Sequence, residues 1–533
     1  MIRHPRVQPY GNWLAAGGTN CRQRGLGQLA LLEDQLLLQV LGHLPAEALA
    51  SLAASSRSLY CFANHEDLWR HMTLQELGCT FCFTGSWRCT YISSKVNATT
   101  YLASQHPSSS QSAVIRKPSH ESAKLSRTGK RKAAQPQISA PWDAQLHISS
   151  FYSDLLYQPW HCAHVPLKAS WLAGDAVSRL AHLAPADFRQ HFEIPNRPVI
   201  LTDVVSKWPA MHKWSRKHLR KAFRNTRVIV GEYPMDFDKY LTYMDGNADE
   251  MPLYLFDKHF ADKAPSLAQD YQLPPQFSDD LFAAMGEKDR PDHRWLIFGP
   301  ARSGSSFHQD PNATSAWNAV IYGSKKWILY PPHITPPGVH ASADGADVAA
   351  PLSLTEWFMN FHKQARKGPH PAIETTVRAG ELLFVPRGWW HMAINLEETL
   401  AITHNYVSTV NLPHVLKFLG SGREDLVSGC AIQDRVFLHD RFIAALRKHN
   451  PEALAGAQLP PISRTPSKKL LSHLFQNSSP DVRAHDLNLN CTNNATAEIG
   501  YMVRNHMPPA HRGEQDFKNH WTEPSGCGMG SDM

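Results

Sequence analysis

Seven short, strongly apolar runs between Pro198 and Thr403 constrain the fold more than any other feature of the chain. They are Pro198-Val199-Ile200-Leu201, Arg227-Val228-Ile229-Val230, Trp295-Leu296-Ile297-Phe298, Ala319-Val320-Ile321-Tyr322, Lys326-Trp327-Ile328-Leu329-Tyr330, Leu382-Leu383-Phe384-Val385 and Leu400-Ala401-Ile402-Thr403. Each is brief, rich in β-branched and aromatic side chains, and set off by Gly, Pro or polar residues, which is how the strands of a sandwich or jelly-roll read. Helical patterns at Phe188 to Phe192 and Trp214 to Phe223 stand among them, so the expected class is α+β, a jelly-roll with helical decoration. Nothing repeats at a fixed period, and no glycine-rich phosphate loop precedes a helix.

At 533 residues the chain has room for two to four folding units, and the segments outside the strand-rich region read differently. Leu29, Leu32, Leu36 and Val40, flanked by Leu37, Leu41 and Leu44, recur at spacings of three and four and describe a helix that Pro45 ends. A second helical stretch carries Leu49, Leu52, Ala53, Ser56, Leu59 and Tyr60 and closes on Asp67-Leu68-Trp69. This block, with its leucine-rich first helix, Ser56-Arg57 pair and terminal Leu-Trp, resembles an F-box, which implies docking on a Skp1-type adaptor of a ubiquitin ligase. A plain helical hairpin packed on the next domain is the other reading. From Leu426 to Leu454, Val427, Ile432, Val436, Phe437, Phe442, Ile443 and Leu446 again read as helix, covering the barrel or making a homodimer contact.

The formal charge is +7, and the surplus is concentrated. Between Ser104 and Pro136 seven basic residues, among them Gly129-Lys130-Arg131-Lys132, face the single acid Glu121 in a stretch nearly devoid of large apolar side chains. It reads as a disordered linker that is an import signal, a nucleic-acid contact, or simply solvated. The nine cysteines are scattered, unlike a secreted disulfide scaffold, so a reducing compartment is expected. Cys79 and Cys82 with Cys89 have no fourth ligand placed to close a zinc site and are read as packed thiols. The N-terminus lacks a secretory apolar core, and the run from Leu26 to Leu44 contains Glu33 and Asp34, so neither a signal peptide nor a membrane span is expected. The last 70 or so residues, rich in Ser, Asn, Pro and His, read as a polar tail.

The chemistry gathers around His308-Gln309-Asp310. On a strand, residues two apart project from one face, so an imidazole and a carboxylate become adjacent metal ligands. His391, in Pro386-Arg387-Gly388-Trp389-Trp390-His391, completes a facial triad if its strand lies opposite across a barrel. Three protein ligands leave three positions open, enough for a bidentate 2-oxo acid and dioxygen. Among 30 histidines an isolated HxD also arises by chance. Lys325 shifts the balance: a lysine in an apolar strand-turn-strand can meet the distal carboxylate of an oxo diacid.

Arg294-Trp295, Gly299-Pro300, Arg302-Ser303-Gly304, Phe307-His308-Gln309-Asp310-Pro311 and Thr314-Ser315-Ala316-Trp317-Asn318-Ala319 resemble the JmjC oxygenases of the phosphatidylserine-receptor-like branch, a group of arginine demethylases and lysyl hydroxylases. Pro252-Leu253-Tyr254-Leu255-Phe256-Asp257, the His391 motif and Leu400-Ala401-Ile402-Thr403-His404-Asn405 extend the likeness, which runs from about Trp160 to Arg423. The resemblance implies a double-stranded β-helix, the cupin-like jelly-roll. It also implies Fe(II) on His308, Asp310 and His391. For 2-oxoglutarate it implies Lys325, Tyr254 and Thr403 at the distal carboxylate, and Asn318 and Asn395 lining the pocket. Ser305 stands where the family often carries threonine.

The expected organisation is an F-box-like module at 24–71, a basic linker at 104–140, strand and helix decoration at 142–258, the JmjC domain at 259–423, helices at 424–455 and a tail at 456–533. The expected function is Fe(II)- and 2-oxoglutarate-dependent oxidation of a protein side chain, on a histone or an RNA-associated protein, in the nucleus, with the cytoplasm as a second location. Oxidation of an N-methyl group ends in demethylation, and oxidation of a methylene leaves a hydroxylated residue; the triad serves both. An adaptor whose jelly-roll merely binds, or a cupin without 2-oxoglutarate, are the other readings.

Overall fold

The computed structural model describes residues 4–17, 19–78, 80–105, 146–342, 348–351 and 353–457. The core of the basic linker, the tail from 458 onward and Cys79 lie outside the described residues. No helix of the described residues is long and apolar enough to cross a membrane.

In chain order the strands are β1 Arg179–Leu180, β2 Val199–Leu201, β3 Arg227–Val230, β4 Tyr233–Asp236, β5 Leu255–Asp257, β6 Arg294–Gly299, β7 Gly304–His308 and β8 Ser315–Tyr322. They continue with β9 Ser324–Tyr330, β10 His340–Ala341, β11 Val348–Ala349, β12 Ile373–Arg378, β13 Leu382–Val385, β14 Trp390–Asn395 and β15 Thr399–Tyr406. Nine of them form a major sheet in the order β1-β2-β13-β8-β15-β6-β5-β3-β4, and four form a minor sheet, β12-β9-β14-β7. The short pair β10-β11 lies in the connection between β9 and β12. The chain passes from one sheet to the other between β8 and β9 through Gly323, whose φ of 81° and closeness to the Glu398 carbonyl leave no room for a Cβ.

All seven apolar runs lie in strands, and the double-sheet jelly-roll is as expected. Of the strands outside those runs, three belong to the minor sheet: β7 (Gly-Ser-Ser-Phe-His), β12 (Ile-Glu-Thr-Thr-Val-Arg) and β14 (Trp-His-Met-Ala-Ile-Asn). The inner face of that sheet carries the polar side chains of a cavity, so burial there does not require hydrophobicity. The division drawn at 258/259 is not a break in the structure, because β5 hydrogen-bonds to β6 across it and β1 to β4 belong to the same sheet.

Between the sheets pack Val320, Trp327, Leu329, Val377, Leu383 and Ala401. Helices cover both outer faces, the minor sheet's under Trp357 and Phe358. The stretch from Leu426 to Leu454 is not one helix: 3-10 turns at Glu424–Leu426 and Ile432–Phe437 precede helices Leu438–His449 and Pro451–Gly456, and Ile432 and Phe437 are exposed.

The head consists of helices Asp34–Gly42, Ala46–Ser55, Arg57–Ala63, Glu66–Leu77 and Trp87–Gln105. The second predicted helix is two, broken at Ser56, whose extended backbone lets its hydroxyl cap the next helix by accepting from the Leu59 amide. In the first helix Leu37 and Leu41 are buried, whereas Leu36 and Val40 point outward, each about half exposed. Leu37, Trp69 and Trp87 of the head join one continuous core with Tyr243, Leu255 and Phe298 of the barrel. Cys82 is exposed and Cys89 buried, and neither belongs to a metal-ligating group among the described residues.

On the outside of the minor sheet, Glu374 accepts from Arg366 Nε at 2.7 Å and lies 3.0 Å from the buried ammonium of Lys326 and 3.2 Å from His362 Nε2. Burial alone would raise this carboxyl, but hydrogen bonds from His362, Arg366 and Lys326 outweigh it and hold it down to about 2. Lys326 also donates to the Ala173 and Gly174 carbonyls, tying the preceding loop to β9. Glu374→Gln is expected to cost about 3 kcal/mol in urea unfolding at neutral pH, toward the low end for a broken buried pair because Arg366 is partly exposed. A carboxyl depressed in the folded state stabilises fully above its ordinary 4.5 and ceases to as pH falls toward 2, so the gap between wild type and variant closes over that window. Equal stability at pH 7 would refute this role.

Candidate metal centre and co-substrate pocket

His308 ends β7, and Asp310 lies two residues on, outside the strand, at the start of the 3-10 turn Pro311–Ala313. Asp310 keeps an extended backbone, φ −61° and ψ 143°, so the two-residue alternation expected of a strand still operates. His391 does not come from across the barrel. It sits on β14, the neighbour of β7, as the direct register partner of His308, with ring centroids 4.2 Å apart. The ligand atoms of His308, Asp310 and His391 lie within 4.8 Å of one another, the one such group of three or more among the described residues.

The hydrogen bonding prepares all three for a cation. His308 Nδ1 lies 2.7 Å from the Ser306 carbonyl and His391 Nδ1 2.9 Å from the Trp389 carbonyl. A carbonyl only accepts, so each Nδ1 carries the proton and each Nε2 offers a lone pair. Burial pushes both imidazoles down to about 4, which keeps them neutral and able to ligate. Asp310 Oδ1 accepts from Asn405 Nδ2 at 3.3 Å, while Oδ2 is buried with no hydrogen-bond partner among the described residues. Burial pushes this carboxyl up to about 6, a cost that a bound cation would reverse. Two imidazoles and a carboxylate on one face are the donor set of a non-haem iron site with open positions.

Behind the triad, Lys325 of β9 is buried, its Nζ 3.0 Å from the Tyr254 hydroxyl, and burial pushes its ammonium down to about 7. Among the described residues no anion holds its charge, so an acidic ligand fits there. Asn395, register partner of Lys325, donates to Ser303 Oγ at 2.9 Å, and its Oδ1 is a buried atom without a partner among the described residues, as is Oδ1 of Asn318. Orphaned polar atoms around one lysine are the mark of a pocket built for a polar ligand. Thr403 is the register partner of Asn318, but its hydroxyl donates to the Trp317 carbonyl at 2.9 Å, so in this arrangement it can only accept. Ser305 faces inward because of a bulge: β14 advances two residues from His391 to Ala393 while β7 retreats three from His308 to Ser305.

Three residues of the site went unassigned in the sequence. Trp327 follows Lys325 by two on β9, so it shares the inner face; its ring lies 5.8 Å from His391 and its indole N–H is buried without a partner among the described residues. Strand alternation alone would have identified it. Asn405 and Ser303, which orient Asp310 and Asn395, stand in the quoted motifs, but their roles depend on contacts between distant segments.

The fold and the site together define a cupin-type, metal-dependent oxygenase. A family model described as a cupin-like domain matches residues 185–411, and one described as F-box-like matches residues 34–75. The chain is 45% identical over 447 residues to the arginine-specific demethylase JMJ22 of Arabidopsis thaliana, covering 84% of this chain and 81% of that protein. It is 39% identical over 270 residues to the bifunctional arginine demethylase and lysyl-hydroxylase psr-1 of Caenorhabditis elegans, covering 47% and 66%. With the 2-oxoglutarate and iron-dependent oxygenase JMJD4 of Homo sapiens it shares 29% over 297 residues, covering 49% and 68%. The chain belongs to the JmjC family of iron- and 2-oxoglutarate-dependent oxygenases, with an F-box-like module at its head.

Asn405 also donates to Thr314 Oγ1 at 2.9 Å, so one amide fixes both the ligand and the turn that follows it. Asn405→Ala is expected to weaken Mn(II) binding about 10- to 100-fold, the usual effect of removing an outer partner of a ligand. Calorimetric titration reads this directly, and unchanged affinity would show that Asp310 is oriented by the backbone alone.

Proposed function

We propose that His308, Asp310 and His391 hold Fe(II), that Lys325 with Tyr254 receives the distal carboxylate of 2-oxoglutarate, and that the enzyme demethylates arginine in a protein, a histone being the leading candidate. When bound, iron and 2-oxoglutarate supply oxidation of a substrate C–H bond by dioxygen, with the oxo acid leaving as succinate and carbon dioxide. The protein's share is positional. The two Nδ1–carbonyl bonds and Asn405 set the ligands, Lys325 provides a buried positive charge beside Tyr254, and Trp327 closes the wall between lysine and metal.

The observation that carries this reading is the buried Lys325 ammonium, unmatched by any anion among the described residues, behind three converging ligands in a chain 45% identical to a protein named as an arginine-specific demethylase. Lysyl hydroxylation uses the same atoms and enters through the likeness to psr-1. Conversion of 2-oxoglutarate to succinate with Fe(II) is expected for the wild type and lost in Asp310→Ala. Mass spectrometry of methyl-arginine histone peptides and of lysine-containing splicing-factor peptides then separates loss of a methylene from gain of one oxygen. Turnover equal in Asp310→Ala would remove the enzymatic reading of this triad. A histone substrate would require the protein in the nucleus.

A second activity is favoured by one observation in the head. Leu31, Leu36 and Val40 are 89%, 49% and 50% exposed beside the F-box-like helix, an apolar stripe suited to a Skp1-type adaptor. Leu36→Asp with Val40→Asp is expected to abolish co-purification with such an adaptor while succinate formation is unaffected. Retention of the adaptor by this double variant would remove the stripe from the interface.

A further inference from the structure

We infer that the helical head is a working part of the co-substrate pocket: Trp87 and Asp249 act through Tyr243 as positioning residues for Tyr254, the phenol beside Lys325. The inference rests on the reading above, in which Lys325 and Tyr254 receive the carboxylate of the 2-oxo acid.

Tyr254 immediately precedes β5, a strand of three residues paired along its length with β6 and by the single register pair Val230 and Leu255 with β3, and the Tyr254 carbonyl accepts from the Gly231 amide at 2.8 Å. These bonds fix the backbone on one side of the segment, and side chains brace the residues on either side of Tyr254. The Leu253 amide donates to the Tyr243 hydroxyl at 2.8 Å, and the Leu255 amide donates to the Tyr240 hydroxyl at 3.1 Å. The Tyr240 hydroxyl in turn lies 2.7 Å from the Phe298 carbonyl, on β6 of the same sheet. Both residues flanking Tyr254 therefore hang on phenols of the helix Phe237–Gly246, each of them fully buried.

Tyr243 is where the head enters. Its hydroxyl donates to Asp249 Oδ2 at 2.6 Å, and the other oxygen of that carboxylate accepts from the indole Nε1 of Trp87 at 2.8 Å. Trp87 begins the last helix of the head, is 1% exposed, and is held at its backbone amide by Glu66 Oε2 at 2.6 Å. Its ring packs against Phe83 and Tyr243, with centroids 5.2 and 5.7 Å away. One carboxylate is thus shared between the two parts of the molecule, one oxygen to each. The chain of contacts runs Glu66, Trp87, Asp249, Tyr243, Leu253, and it ends beside the residue that faces Lys325. In a water-poor setting such bonds are strong, and a missing member leaves its partner unsatisfied rather than solvated.

This arrangement separates two affinities. Metal ligands come from β7 and β14 of the minor sheet and the turn after β7, whereas the chain just described runs through the head, the helix Phe237–Gly246 and the segment before β5. Lys325 also comes from the minor sheet, but Tyr254 approaches from the major-sheet side on a segment anchored in the head. Loosening the anchor displaces one wall of the pocket and leaves the metal site in place. A purely structural role would lower both affinities or neither.

The test uses full-length protein loaded with Mn(II) in the absence of oxygen and titrated with 2-oxoglutarate by calorimetry. Tyr243→Phe and Trp87→Phe are each expected to weaken 2-oxoglutarate binding roughly tenfold, the effect of one displaced hydrogen-bonding partner. Mn(II) affinity is expected to stay at the wild-type value. Tyr91→Phe, which removes a 2.8 Å bond to Glu76 inside the head, is expected to bind both normally. Adding Trp87→Phe to Tyr254→Phe is expected to cause no further loss, because the residue being positioned has already lost its hydroxyl. Should Tyr243→Phe fail to fold, Asp249→Asn keeps the shape of the joint and carries the same comparison. Folded variants within about twofold of wild type for 2-oxoglutarate, or with equal losses for 2-oxoglutarate and Mn(II), would overturn the inference while the pocket assignment stands. Absence of 2-oxoglutarate binding to the wild type would overturn the pocket assignment and the inference together.

Discussion

The pairing of β14 with β7 is the contact on which the site depends. It sets His391 directly opposite His308, and slipping it by one residue would turn one imidazole to the outer face of the sheet. Gly304 secures the close approach, since a Cβ there would stand 2.0 Å from the Ala393 carbonyl. The bulge between Ser305 and His308 then lets two residues three apart share the inner face. Metal geometry in this protein is thus a property of strand register, fixed by main-chain hydrogen bonds before any ion arrives.

Around that pair the interior of the jelly-roll is divided between two environments. Val320, Leu329, Leu383 and Ala401 pack tightly, whereas Lys325, Asn318, Asn395 and Asp310 leave polar atoms or charges unmatched. The free energy that those groups forgo in the folded chain is recoverable on binding a cation and an oxo diacid, which is how a rigid pocket becomes selective. The contrast with Lys326 is instructive. One residue along the same strand and facing the opposite side, it is matched by Glu374 and three backbone carbonyls, so it stabilises the fold and has nothing left for a ligand.

The head and the barrel are joined by more than contact. Trp87 and Phe83 insert among the tyrosines of the helix Phe237–Gly246 and share one core with the major sheet. An adaptor bound on the outward leucine stripe would therefore be rigidly connected to the oxygenase rather than tethered by a linker. Leu36 and Val40 of the stripe share one nine-residue helix with the buried pair Leu37 and Leu41, so a single short segment faces both ways.

The local chemistry of this chain was settled by its sequence. All seven apolar runs bounded by Gly, Pro or polar residues became strands, because short β-branched and aromatic runs suit a buried pleated surface. His308, Asp310, His391, Lys325 and Tyr254 were likewise evident as residues, and they do converge. Tertiary structure alone decided what lies beside what. It placed His391 on the neighbouring strand, made strands of the polar segments β7, β12 and β14, took Asp310 off the strand, and occupied the Thr403 hydroxyl with a backbone carbonyl. It also brought Asn405 to Asp310 and Trp87 to Asp249. Those outcomes depend on hydrogen bonds between segments 80 to 160 residues apart, and residue type announces the capacity to make such a bond without naming the partner.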